Sequence, residues 1–236
     1  MPRAVVCLPT YNERENLERM IEALEPHDVD VLVIDDNSPD GTGEIADWLA
    51  AKRDWLCVLH RERKEGLGRA YVAGFREVLR GDADYVLEMD CDFSHDPADV
   101  PRLIAAVEAG ADLALGSRYV SGGGTENWGL VRRLISRGAS VYTRVLLMPV
   151  HDSTGGFKCF RRGVLESIEL ETIDAAGYVF QIETTYRTLR KGFRVVEVPI
   201  RFVDRTAGES KMSRAIVLEA ILKVPVLRLR ALLGRL

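Results

Sequence analysis

The chain has 236 residues, 47% of them hydrophobic and 29% charged, with a formal net charge of −4. That length suits one large α/β domain or two small ones, and the composition is that of an ordinary globular protein. No global basic field points to nucleic acid, and no segment reaches the roughly 18 uninterrupted apolar residues of a membrane span.

Cys7, Cys57, Cys91 and Cys159 are far apart and form no ligand-type cluster. With apolar neighbours around Cys7 and Cys57, they are expected to be small buried residues in a reducing compartment. The apolar run near the N-terminus is too short for a signal peptide. The expected location is the cytosol, or the cytoplasmic face of a membrane as a peripheral protein.

The first apolar run, residues 4–10, ends at Pro9-Thr10 and reads as a strand covered on both faces. Leu17, Met20, Ile21 and Leu24 then share one helical stripe. Val29 to Ile34 is a second strand, closed by Asp35-Asp36-Asn-Ser-Pro-Asp40-Gly-Thr42. Leu56 to Leu59 is a third, followed by a glycine-bounded helix from Gly68 to Arg80. Tyr85 to Met89 is a fourth and Ala111 to Leu115 a fifth, with a helix between them carrying Leu103, Ile104 and Val107. Short strands alternating with helices predict βαβ units and a doubly wound, mostly parallel sheet with helices on both faces. Ligands of such sheets sit outside the carboxyl ends of the strands. The polar clusters Pro9 to Glu13, Asp35 to Thr42 and Asp90 to Asp96 fall there.

Beyond Arg118 the pattern changes. A Ser121-Gly-Gly-Gly124 segment leads to Trp128 and a long helix near 130–147 bearing Arg132, Arg133 and Arg137. Three arginines on a helix equally describe a solvated face. Asp152 to Arg161 returns a strand to the sheet, a helix follows near 179–190, and Arg194 to Val203 forms a strand whose Pro199 argues for an edge. A connector with Arg205 and Lys211 precedes a terminal helix from about Ser213. The expected organisation is a catalytic domain over 1–212 and an apolar, basic helix over 213–236. Leu222, Val226, Leu229, Leu233 and Leu236 share a stripe suited to an anionic bilayer surface. Val224, Leu227 and Pro225 blur that stripe, and packing on the domain is the alternative.

The central feature is Asp90-Cys-Asp92 at the end of the fourth strand. As a strand continuation, it places two carboxylates on one side, able to hold a hard divalent cation against a diphosphate. The alternative is an acidic turn opening a helix, with Asp96 as N-cap and Pro97 in the first helical position. Glu13, Asp35 and Asp36 gather at the same sheet end, and so many acids in one crevice need compensation. Arg118, Arg132, Arg205 and Lys211 stand opposite, a pairing that suits two phosphate-bearing substrates. No GxGxxG or Walker loop is present, no Ser-His-Asp arrangement is forced, and His95 has no assignment.

Pro9-Thr-Tyr11-Asn-Glu13, Ile34-Asp-Asp36-Asn-Ser-Pro-Asp40-Gly-Thr and Asp90-Cys-Asp92 together resemble the family 2 inverting glycosyltransferases of the GT-A fold. The motif from Asp36 to Thr42, Ser136-Arg-Gly-Ala139, Gly177-Tyr-Val-Phe-Gln181 and Arg205-x-x-Gly-x-Ser-Lys211 more narrowly resemble dolichol/polyprenol-phosphate mannose synthases, over residues 4–213. That resemblance implies transfer of mannose from GDP-mannose to a polyprenyl phosphate, with inversion, using Mg²⁺ or Mn²⁺. By position it implies that Pro9, Tyr11, Glu13, Ile34 and Asp36 hold the guanosine end. Asp90, Cys91 and Asp92 serve metal and diphosphate, and Ser94 stands where some relatives have a glutamine metal ligand. Arg118 and Arg132 would grip the acceptor phosphate, and Arg205 and Lys211 would close over the donor. Some members carry membrane helices and others borrow a partner's, which implies a membrane-anchoring partner protein or a peripheral mode. The rival expectations are a polyprenyl-phosphate glucose synthase or polysaccharide glycosyltransferase, a non-catalytic sugar-nucleotide module, and a sugar nucleotidylyltransferase.

Overall fold

In the computed structural model the described residues are 3–173, 177–204 and 214–234. The first half alternates strand and helix: β1 (Ala4–Thr10), α1 (Leu17–Leu24), β2 (Asp30–Asp35), α2 (Thr42–Ala50), β3 (Leu56–His60), α3 (Leu67–Leu79), β4 (Tyr85–Glu88), α4 (Val100–Glu108) and β5 (Leu113–Ser117). The second half holds β6 (Gly124–Glu126), α5 (Leu130–Leu146), β7 (Lys158–Arg161), α6 (Arg162–Ser167), α7 (Gly177–Arg190), β8 (Val195–Pro199), β9 (Arg201–Val203) and α8 (Arg214–Leu232).

Seven strands form one sheet in the order β3-β2-β1-β4-β7-β5-β8, and β6 pairs with β9 in a small second sheet. Only β7 runs against its neighbours, wedged antiparallel between β4 and β5. The expectation of a mostly parallel sheet therefore holds, and β8 with its Pro199 is an edge strand as the sequence indicates.

The strand sequences read as near-continuous apolar runs because both faces of the sheet are covered. Val5 and Cys7 of β1, Leu32 and Ile34 of β2, and Val86 of β4 pack with Phe75, Phe160 and Phe180 on one face. The alternate residues, Val6 and Leu8, Val31 and Val33, and Leu87, pack with Leu17, Met20, Ile21 and Leu103 on the other. This period-two division fixes the register, since a one-residue slip would exchange the two cores.

The last helix is tied to the domain through an inward stripe. Val224 and Leu227, which blurred the sequence pattern, are buried with Ala231 against the first core. Leu222, Val226, Leu229 and Leu233 face outward, so the helix packs on the domain along one side and exposes apolar side chains along another. Leu236 lies outside the described residues. Among the described residues no helix is long and apolar enough to cross a membrane.

Candidate active site

The carboxyl ends of β1, β2 and β4 open into a cavity of about 340 Å³. Its walls include Pro9, Tyr11, Glu13, Asp36, Asp90, Cys91, Asp92, Arg118 and Arg132, nine positions that the sequence singled out. They meet here because parallel strands deliver their following loops to one end of the sheet.

The loops after β1 and β2 are laced together. The backbone N–H of Asn12 donates to Ser38 Oγ (3.1 Å), that of Glu13 to Thr42 Oγ1 (3.0 Å), and that of Arg14 to Asp40 Oδ2 (3.2 Å). Asp35 is turned inward as a scaffold, accepting from Ser38 Oγ (2.6 Å) and Thr10 Oγ1 (3.2 Å). Much of the Asp36 to Thr42 motif therefore holds the loop carrying Tyr11 and Glu13. Burial works against ionisation of Asp40, but bonds from the Thr42 hydroxyl and from the Thr42 and Arg14 backbones hold its carboxyl below the usual range. Asp36 reaches the cavity and pairs with Arg61. Burial pushes its carboxyl up, and the arginine only partly offsets this.

The acidic turn differs from its expected geometry. β4 ends at Glu88, so Asp90 and Asp92 lie beyond the strand in a turn, and Phe93 has a left-handed φ of +59°. Asp92 Oδ1 accepts from the backbone N–H of Ser94 (3.0 Å), and His95 Nδ1 accepts from that of Asp90 (3.1 Å). These two bonds, rather than strand periodicity, bring both carboxylates to the cavity. Asp96 accepts from the Ala98 N–H (2.9 Å) and caps the turn at Pro97–Asp99, as the sequence suggests.

Two expected contacts fall elsewhere. The Ile34 side chain is fully buried in the core; a Cβ on Gly74 would lie 2.3 Å from its Cδ1, so Ile34 fills space there and does not face a nucleotide. Ser94 is also buried, and its hydroxyl has no hydrogen-bond partner. Arg205 and Lys211 lie outside the described residues.

The two arginines on the opposite wall are committed to carboxylates. Arg118 donates from Nε (2.7 Å) and Nη2 (2.6 Å) to the two oxygens of the fully buried Asp152, and its backbone N–H also binds Asp152 (2.9 Å). Thr154 Oγ1 accepts from Nη2 at 2.8 Å. The rings of Tyr119, Trp128 and Phe202 surround this guanidinium at 5.3–5.4 Å. Arg118, expected at the acceptor phosphate, lies in the cavity wall, and with Asp152 it forms a buried ion pair of no net charge. Arg132 stacks over Trp128 at 4.2 Å and donates to Asp204 (2.6 Å), immediately before the Arg205 connector.

Other wall residues carried little sequence signal. Lys64 lines the cavity with its ammonium 3.7 Å from the Tyr11 ring centroid, a cation–π contact across two loops. His95 is buried between Phe157 (4.9 Å, stacked) and Phe202 (5.4 Å, edge-on), and burial lowers its imidazole to about 4. Behind the wall, Lys158 Nζ donates to Thr184 Oγ1 (2.9 Å) and to both carbonyls of Gln181, with Glu88 at 4.0 Å. Burial raises Glu88 to about 7 and lowers Lys158 to about 8.

Among the described residues no three His, Cys, Asp or Glu side chains form a self-sufficient metal cage. Asp90 and Asp92 supply two hard oxygen donors, a set that suits a divalent cation completing its shell from a bound diphosphate.

Comparison with known proteins agrees with this architecture. Residues 5–169 match the family described as glycosyl transferase family 2. The chain is 49% identical to polyprenol monophosphomannose synthase of Mycolicibacterium smegmatis, over 99% of this chain and 89% of that protein. It is 48% identical to undecaprenyl-phosphate mannosyltransferase of Micrococcus luteus, over 94% and 92% of the two chains. Dolichol-phosphate mannosyltransferase of Pyrococcus furiosus is 40% identical over 91% of this chain, which spans 60% of that longer protein. Among solved structures, mannosyl-3-phosphoglycerate synthase from Rubrobacter xylanophilus superposes with a TM-score of 0.71 at 18% identity, covering all of this chain and 76% of that one. A mannosyltransferase from Pyrobaculum calidifontis, in complex with GDP-Man and Mn²⁺, superposes with a TM-score of 0.63 at 16% identity over 99% of this chain and 64% of that one. The fold is that of the GT-A glycosyltransferases, and the near full-length identities agree with the motifs at the strand ends: the chain belongs to glycosyl transferase family 2.

Proposed function

We propose that the chain transfers mannose from GDP-mannose to a polyprenyl phosphate, with inversion at the anomeric carbon. The observation that carries this reading is a cavity joining carboxylates at the sheet end to Trp128 and Arg132, at the root of a helix with an apolar outer face. The names of the relatives supply the choice of mannose and of a prenyl phosphate.

Each substrate has a matching wall. Tyr11, Glu13 and Asp36 offer a ring and two acceptors to a guanosine, beside Pro9 and Lys64. Asp90 and Asp92 would hold Mg²⁺ or Mn²⁺, with Cys91 close by. When bound, the ion neutralises charge gathering on the departing diphosphate. Arg205 and Lys211 are assigned to the same leaving group by position in sequence. The acceptor, a phosphate monoester with a second pKa near about 6, is already anionic at neutral pH. No strong general base is needed, and the protein's task is alignment behind the anomeric carbon. Arg132 beside Trp128 suits that task, while the Arg118–Asp152 unit shapes the wall behind it.

The lipid end has its own support. α5 buries Ser136, Ser140 and Thr143 and exposes Leu130, Val131, Leu134, Ile135, Val141 and Val145. Apart from Trp48, every exposed large apolar side chain among the described residues lies on α5, on α8 or at Leu233 beside it. Arg133, Arg137, Arg144, Arg228 and Arg230 are also exposed on these helices. Apolar area flanked by arginines fits peripheral attachment to an anionic bilayer, and also a membrane-anchoring partner.

The test is product identification. With GDP-mannose, a short polyprenyl phosphate and Mg²⁺ or Mn²⁺, the expected product is polyprenyl phosphate mannose, abolished by EDTA. A glucosylated lipid from UDP-glucose or GDP-glucose would favour the glucose synthase alternative, and no lipid product from any donor would refute the reading.

A further inference from the structure

One group in the cavity wall has no role in the scheme above. His95 is 2% exposed, yet it belongs to the wall between the Asp90–Asp92 turn and the Gly155–Gly156 segment. Its Nδ1 accepts the backbone N–H of Asp90 at 3.1 Å. A backbone amide only donates, so the imidazole proton must reside on Nε2. Nε2 has no acceptor among the described residues. Phe157 stacked at 4.9 Å and Phe202 edge-on at 5.4 Å leave the ring one orientation.

Beside it the floor is bare. A Cβ built on Gly156 would stand 3.9 Å from His95 Cε1 and 3.3 Å from Gln181 Nε2. Gln181 is polarised in the same sense. Lys158 has only donors, so the Gln181 carbonyl oxygen faces it and the amide nitrogen is turned away, buried without a hydrogen-bond partner. His95, with its acceptor atom capped by the protein, thus presents one donor beside a glycine that leaves room for a ligand.

We propose that this is the subsite for the transferred hexosyl group, with His95 Nε2–H donating to one of its hydroxyls over the Gly156 floor. The inference rests on the sugar-nucleotide reading of the cavity and refines it. Charge on the donor is handled by Asp90, Asp92 and the cations, and a sugar offers only uncharged oxygens. A neutral donor held in one orientation matches a hydroxyl, and it sits next to the turn assigned to the diphosphate. His95 would then tie recognition of the sugar to the placement of Asp90, since one ring bonds to both.

The test separates the two ring nitrogens. His95→Asn keeps an oxygen able to accept the Asp90 N–H and loses the distal donor, whereas His95→Gln extends an amide N–H toward the Nε2 position. Gly156→Ala fills the floor without touching His95. Binding of GDP and of GDP-mannose is measured by calorimetry with Mn²⁺, alongside initial rates. The expected result for His95→Asn and Gly156→Ala is an unchanged affinity for GDP, with at least about a ten-fold loss of kcat/KM for GDP-mannose, the scale of one well-placed hydrogen bond. His95→Gln is expected to recover part of that loss. In wild type, one deoxy analogue of GDP-mannose should show a similar penalty, and that penalty should disappear in His95→Asn. Equal losses for GDP and GDP-mannose would overturn the proposal and make His95 a purely structural clamp. Wild-type rates in both folded variants would also overturn it. A wild-type protein that neither binds nor uses GDP-mannose would instead refute the proposed function.

Discussion

Removing Asp152 should destabilise the domain more than it alters chemistry at an intact site. Asp152 is fully buried and accepts three bonds from Arg118, two from the guanidinium and one from the backbone. Asp152→Ala would leave a guanidinium that is 5% exposed without its buried carboxylate partner. Breaking one side of a buried pair costs about 3–5 kcal/mol, because the surviving charge stays desolvated. For a chain of this size each kcal/mol moves the melting temperature by about 2–4 °C, so a drop of roughly 6–20 °C is expected. Arg118→Met should cost a similar amount by stranding the carboxylate. The double variant Arg118→Met/Asp152→Leu should recover much of the loss, since apolar residues of similar size can replace a buried pair at little cost. Thermal melts of the four proteins, with turnover assayed well below each midpoint, supply the comparison. A double variant no more stable than its parents would refute the neutral-unit account. So would a fully stable Arg118→Met that is inactive, which would make Arg118 a direct ligand of the acceptor phosphate.

Asp92→Ala should fold and melt close to wild type, because the bond its carboxylate accepts from the Ser94 N–H lies within the same turn, yet lose metal-dependent transfer by at least about a hundred-fold; near-normal turnover would remove the metal site from the turn. Lowering the pH should expose the buried imidazole. The unfolded chain binds a proton at His95 below about 6.5, while the folded chain resists until about 4. This contribution is present above about 6.5 and is lost as pH falls toward 4, to an extent on the order of 3 kcal/mol. His95→Phe should flatten that part of the stability–pH curve, measured by urea unfolding at pH 7 and pH 4.5. Leu134→Asp and Val145→Asp, at side chains 71% and 75% exposed, should leave the melting temperature unchanged. Each should cut binding to anionic vesicles by about ten-fold in flotation assays, the scale of one buried aliphatic side chain. Binding that survives the double substitution would dismiss α5 as the attachment face.

The fold was legible where local periodicity and tertiary burial ask for the same residues. β1, β2 and β4 are apolar on both faces, and their alternate residues do enter two cores. The helix stripes at Leu17 to Leu24 and at Leu103 to Val107 are also buried as expected. Strand-end acids were legible for a topological reason, since parallel strands bring their following loops together. What escaped depends on pairing between distant segments. Nothing near Arg118 announces Asp152, 34 positions away, yet that carboxylate decides whether the arginine is an open cation. Ile34 sits in a motif next to two acids, but its place in β2 turns it toward Gly74 and the core. The Asp90–Asp92 spacing suggested a strand's alternation, whereas a left-handed residue at Phe93 and two backbone hydrogen bonds produce the convergence.

α5 shows how a pattern that looks wrong for a soluble helix acquires meaning from its neighbours. A helix packed on a domain ordinarily buries its large apolar residues, which contribute about 1.5–3 kcal/mol each when removed from water. α5 does the reverse, turning Ser136, Ser140 and Thr143 inward and six large aliphatic residues outward. The inward hydroxyls are partly used: Thr143 Oγ1 bonds Ser153 Oγ at 2.5 Å, and Ser136 Oγ accepts from Tyr119 at 2.7 Å. Small residues also let α5 lie close to the segment that carries Asp152 and Thr154. The outward aliphatics gain nothing from folding alone, so their benefit must come from a second apolar phase or partner. α8 carries exposed Leu222, Val226 and Leu229, and the Tyr142 hydroxyl donates to the Ile221 carbonyl at 3.0 Å, joining the two helices. The same helix α5 carries Arg132 into the cavity wall. Attachment through its outer face would therefore fix the cavity mouth relative to the surface from which a prenyl phosphate must arrive. On that argument, loss of surface attachment should raise KM for a long-chain acceptor held in vesicles while leaving KM for a short, water-soluble one unchanged. Equal effects on both acceptors would mean that α5 serves the protein's interior alone.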